Sequence, residues 1–176
     1  LAKILLRQYG ASLDMRVWLG LDCETYDPLL KTAGWSWKYG KGELLCTSIY
    51  NPKTDEKTFI QKVQNKKYVQ SLLQNKEVSF IGANIIYDLG WLLYAYDIPL
   101  QDVKCSFIDV LIAESSLDEY ANPSLDSLSK KYLGKGKNSC RIEKWVFENV
   151  EGAKGDFRKY LKDAPVELLK EYVESD

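Results

Sequence analysis

The sequence contains no histidine. Ser-His-Asp and Cys-His nucleophile activation, imidazole-held zinc and imidazole acid–base catalysis are therefore excluded as self-contained sites. Any catalysis must rest on carboxylates, tyrosine, lysine, cysteine or a metal on oxygen ligands, which favours Mg²⁺ or Mn²⁺ over Zn²⁺. The four cysteines, Cys23, Cys46, Cys105 and Cys140, form no C-x-x-C pair, so neither a zinc ribbon nor a dithiol redox motif is indicated. Three of them lie in apolar, strand-like runs and read as buried free thiols of a reducing compartment. The N-terminus shows no signal peptide and no apolar run is long enough to span a bilayer, so a soluble, cytoplasmic protein is expected. Nor is there an excess of positive charge: 24 Lys and Arg against 25 Asp and Glu leave a net charge of −1. A polyanion would have to be met by a local site.

What is present is an ordinary globular composition, 45% hydrophobic and 28% charged over 176 residues, enough for one domain spanning 1–176 with a real core. The first residues, Leu1 to Asp14, open with an apolar-basic stretch that could form a short helix. The run Val17–Asp22 predicts a buried strand, with Asp22 and Glu24 at its carboxyl end and on one face. Leu44–Tyr50 and Lys57–Ile60 complete a three-strand meander. Helical spacing over Lys66–Asn75 and a strand at Val78–Gly82 then mark a change to α/β alternation. Asn84 is a candidate N-cap for an apolar helix through Tyr96, with Asp88 one turn inside it. A carboxylate in so apolar a segment is costly without a partner.

A short strand over Val103–Phe107 and a helix from Ile108 to about Leu117 follow. Ser124 and Gly134 bracket a further helix, Cys140–Val150 is amphipathic, and Phe157–Leu161 is a short helix or turn. Asp163-Ala164-Pro165 starts the last helix, on which Leu168, Leu169, Tyr172 and Val173 form one stripe. Tyr172 and Asp176, four apart, share a face. The cations Lys130, Lys131, Lys135, Lys137, Arg141 and Lys144 suit either a phosphate backbone or a solvated surface. Trp35, Trp37 and Tyr39 suit either base stacking or packing.

The order Asp22-x-Glu24, then Asn84-x-x-x-Asp88 with Tyr87 before the aspartate, then Tyr172-x-x-x-Asp176 resembles the three exonuclease motifs of the DEDD superfamily. The likeness runs from about Val17 to Asp176. It is to the tyrosine-bearing branch, since the histidine-bearing one needs an imidazole, and is closest to the 3′→5′ proofreading domain of family A DNA polymerases. The resemblance implies an α/β, ribonuclease H-like fold, with a central mixed sheet, an antiparallel meander and flanking helices. It also implies two-metal hydrolysis at the 3′ end of single-stranded DNA, releasing nucleoside 5′-monophosphates.

By the same resemblance Asp22, Glu24, Asp88 and Asp176 would bind two Mg²⁺ or Mn²⁺ ions, and Tyr172 would orient the attacking water with Glu24. Asn84 and Thr25 would contact the terminal nucleotide. Pro28 stands where such domains often carry a wedging leucine, a role left to Leu29 or Tyr26. The chain stops at Asp176, which the third motif needs, so it is expected to be excised from a longer chain with a polymerase domain following. A ribonuclease D-like exoribonuclease and a non-catalytic nucleic-acid-binding module are the alternatives.

Overall fold

The computed structural model describes residues 16–120, 123–136, 139–153 and 155–175. The short helix expected at Leu1–Arg7 and the carboxylate of Asp176 lie outside the described residues. Five strands form one mixed sheet: β1 (Val17–Tyr26), β2 (Glu43–Asn51), β3 (Glu56–Gln61), β4 (Val78–Gly82) and β5 (Ser106–Asp109), in the order β3-β2-β1-β4-β5. β1, β2 and β3 are the predicted antiparallel meander, and β4 and β5 join parallel on the other side of β1. The helices are α1 (Lys66–Leu73), α2 (Ile85–Tyr96), α3 (Val110–Leu117), α4 (Leu125–Leu133), α5 (Cys140–Asn149) and α6 (Val166–Ser175), with a 3-10 segment at Phe157–Asp163.

Alternation along β1 sorts its side chains onto two faces. Leu19, Leu21 and Cys23 enter the larger core, with Phe80 of β4 and Leu89 and Leu92 of α2. Trp18, Asp22 and Glu24 lie on the opposite face, where Trp18 packs with Val110 and Leu128. The same face carries Leu45 and Cys46 of β2 against Ile142, Val146, Leu161, Leu169 and Tyr172. Helices thus cover both sides, as parallel strands require.

β1 is longer than its apolar content suggested and runs on to Tyr26, so Asp22 and Glu24 sit within the strand rather than after it. Its parallel pairing with β4 ends at Gly20 opposite Ile81. Beyond that point the edge of β1 is open to whatever follows β4. Gly82 makes the turn possible, because a Cβ there would stand 2.7 Å from the carbonyl oxygen of Leu21. Gly42 is required for a second reason: with φ +79° it approaches Tyr26 so closely that a Cβ would collide with that residue's carbonyl oxygen.

Helix ends depart from one expectation. Asn84 occupies the position before α2 in a left-handed conformation, φ 57°, but its side chain makes no capping bond. Asp109 does that work instead. Its Oδ2 accepts from the Ile85 amide at 3.1 Å and its Oδ1 from the Leu111 amide at 2.9 Å, tying the starts of α2 and α3 together. Ser124 caps α4 as predicted, within a reciprocal box with Ser127, and Gly134 ends that helix in the left-handed region.

Candidate active site

The open edge of β1 is where the first two motifs meet. Because β4 no longer pairs there, the Cys23 amide is available to the Asp88 carboxylate, which accepts from it one turn into α2. Asp88 is 3% exposed. Burial raises its pKa well above the ordinary carboxylate range, and the charge of Asp22 raises it further. Two carboxyl groups, one of them buried, thus lie within electrostatic reach of each other, and a hard divalent cation would relieve both burial and repulsion. Among the described residues no group of three or more thiol or carboxylate side chains is set to hold a metal ion. The remaining predicted ligand, Asp176, belongs to the third motif and lies outside them.

The third motif approaches from the far face. Tyr172 of α6 is 4% exposed and packs edge-on against Phe157, with ring centroids 5.8 Å apart. Lys57 of β3 donates to the Glu174 carbonyl at 2.7 Å, and Arg141 of α5 pairs with Glu171. Both anchor the helix that leads to Asp176. Glu24 and Tyr172 each lie within electrostatic reach of Arg158, so the middle of β1 and the middle of α6 face a common region.

A cavity of about 830 Å³ has Cys23, Glu24, Thr25 and Asn84 on its wall, whereas Asp22, Asp88 and Tyr172 do not line it. Asn84 is exposed there. Thr25 Oγ1 is 2.7 Å from the Tyr87 hydroxyl, which donates to Asp27 Oδ2 at 3.0 Å. Since the phenol has one proton to give, Thr25 is the donor in the first bond. Asp27 also accepts from the Ser36 amide at 3.1 Å and from its hydroxyl. A chain of side chains therefore braces the end of β1 against α2. Tyr26 and Pro28 line the cavity and Leu29 does not, whereas Leu30 does. Lys162 sits over the Tyr26 ring at 4.2 Å.

Asp27 and Tyr87 were visible in the sequence only as a chain break and as the aromatic before Asp88. The dipeptide Asp27-Pro28 signals a turn, and nothing in it points to Tyr87, 60 residues away. Asp156 and Arg158 carried no signal beyond a glycine-bounded loop. Of the open alternatives, Trp35 and Trp37 stack on each other at 5.7 Å and Trp37 stacks on Tyr94 at 6.2 Å, so they pack as a group, with Trp35 at the cavity wall. Tyr39 is 56% exposed. In the basic run Lys130, Lys131, Arg141 and Lys144 pair with Asp126, Glu114, Glu171 and Glu148, which marks a neutralised surface rather than a phosphate track.

No protein-family model and no curated protein sequence matches the chain. Solved structures do. NrnC of Brucella melitensis superposes with a TM-score of 0.60 at 16% identity, over 92% of this chain and 67% of that one. Further structures of that protein, with bound Mg²⁺ and bound to pGG, match as well. Escherichia coli RNase D, described as an exoribonuclease involved in structured RNA processing, gives 0.56 at 12% identity, over 93% of this chain and 37% of that one. Trypanosoma brucei RNase D in complex with RNA U12 gives 0.52 at 14% identity, over 97% and 60%. The chain thus spans little more than a third of the Escherichia coli enzyme. At these identities the likeness is one of fold: the mixed sheet with its leading meander is the ribonuclease H-like architecture.

Proposed function

We propose that this is a metal-dependent 3′→5′ exonuclease domain that hydrolyses the terminal phosphodiester of a single strand, ribonuclease D-like and acting on RNA. The observation that carries this is the burial of Asp88 within reach of the Asp22 charge where β1 outruns β4, on a sheet of ribonuclease H-like topology. Asp22, Glu24 and Asp88 would hold the ions, joined by Asp176. Two bound Mg²⁺ or Mn²⁺ ions would supply an activated water and stabilise charge on the phosphoryl oxygens. A phenol, as Tyr172 carries, suits orienting a water better than removing its proton. Asn84 reaches the strand end from the cavity wall. Thr25, whose hydroxyl is committed to Tyr87, shapes that wall instead.

RNA is preferred to DNA because the neighbours whose names state a substrate or ligand are an exoribonuclease, an RNA complex and a pGG complex. The proofreading reading, with DNA as the strand and a polymerase domain following Asp176, rests on the motif likeness alone. One oligonucleotide made as RNA and as DNA differs essentially in the 2′-OH and separates the two; faster loss of the deoxy form would reverse the preference. Asp22→Ala and Asp88→Ala should each slow Mg²⁺-dependent digestion by more than the roughly hundredfold that loss of a supporting partner costs at metal sites. Undiminished digestion by folded variants would sink the nuclease assignment. Absence of Mg²⁺ uptake by calorimetry would leave a non-catalytic binding module.

A further inference from the structure

A strand approaching Asp22, Glu24 and Asp88 carries the same sign of charge as they do, and the whole chain, at −1, offers it no general attraction. The cations of α4 and α5 are matched by carboxylates. On the cavity wall within reach of Glu24 two cations share one carboxylate. There Asp156 gathers one cation from a distant segment and one from two residues on, accepting from Lys31 Nζ at 3.1 Å, from Arg158 Nε at 2.9 Å and from the Arg158 amide at 3.3 Å. All three residues line the cavity. Lys31 and Arg158 keep 69% and 65% of their side-chain surface exposed.

The bond to Asp156 takes Nε, one of the five guanidinium donors, and the planar group is rigid. Holding that edge fixes the direction in which the other edge faces. Pairs this exposed add little to stability. The nearby Lys162 is occupied with the Tyr26 ring.

We propose that Arg158 contacts a backbone phosphate of the bound strand, that Lys31, bonded to the same carboxylate, supports it, and that Asp156 is a positioning residue that aims the guanidinium. The inference rests on the nuclease reading and specifies how such a site receives a polyanion despite its own negative charge. The carboxylates bind and cleave, and a clasped arginine on the cavity wall grips the phosphate backbone.

The test measures binding separately from cleavage. A short single-stranded RNA labelled at its 5′ end is titrated with the whole chain in EDTA, by fluorescence anisotropy over a range of salt. Arg158→Ala should weaken binding and lower the slope of log K against log salt by roughly 0.7, the value of one phosphate contact on a single strand. Arg158→Lys should keep the slope while losing part of the affinity. Asp156→Asn discriminates the clasp from simple charge: removing an anion from the cavity mouth tightens binding if charge alone matters. Loss of aim weakens it at unchanged slope. Tighter binding overturns the positioning role, and an Arg158→Ala variant that melts and binds like the unaltered chain overturns the phosphate contact. If the unaltered chain digests RNA while Arg158→Ala binds normally, only this inference falls. If the unaltered chain neither binds nor digests a strand, the nuclease reading falls with it.

Discussion

At the scale of single residues, Asp88 is the group whose environment conflicts most with its chemistry. It is buried and within reach of the Asp22 charge, and both effects raise its pKa. The unfolded chain carries the ordinary value, so between the two values the native state holds the extra proton. Stability contributed by Asp88 is present below the ordinary carboxylate range and is lost as pH rises through the higher folded value. At neutral pH the charged form is a burden on the metal-free fold. Asp88→Asn should therefore raise the melting temperature in EDTA. Mg²⁺ should raise that of the unaltered chain by mass action and leave the variant nearly unmoved. Melting curves with and without the ion check both statements. Tyr87 is a second informative residue, because its hydroxyl links Thr25 to Asp27. Tyr87→Phe should cost about 0.5–1.5 kcal/mol for each hydrogen bond lost, measured by urea denaturation. It should also raise KM for the strand more than it lowers kcat, since the bonds shape the cavity wall.

Between elements, the most exacting contact outside the site is that of α3 with α4. Glu114 of α3 is 4% exposed and accepts from Lys131 and from the Tyr132 hydroxyl, the latter at 2.8 Å. These hydrogen bonds hold its pKa below the ordinary value despite its burial. Spacing along α3 gives no warning of this, because a buried carboxylate is tolerated only through partners that another helix supplies. Glu114→Ala leaves the Tyr132 hydroxyl without its acceptor and should destabilise by about 1–3 kcal/mol. The urea midpoint should fall with little change in the slope of free energy against denaturant. The start of α2 teaches the same lesson. Asn84 has the right residue type and position for a cap, yet Asp109, 24 residues on, accepts from the Ile85 amide.

For the molecule as a whole, the balance of charge predicts a shallow salt dependence from a small patch. A chain of net charge −1 that binds a strand through a few cations should lose affinity with salt at a slope of only a few tenths to about two. A much larger slope would mean a longer basic track than the cavity mouth provides. Absence of histidine removed whole classes of chemistry, and apolar alternation gave the meander, the strand at Val78–Gly82 and the helix carrying Asp88, because period and composition are local properties of the chain. The three acidic motifs were legible for the same reason, as short patterns in a fixed order. Asp88 comes within reach of the Asp22 charge where β4 stops at Gly82 and leaves the Cys23 amide to a helix carboxylate. Asp27 meets Tyr87, and Lys31 meets Arg158 at Asp156, across 60 residues and across 125. Those encounters depend on where strands end and how helices pack back upon the sheet, and only the folded chain decides that.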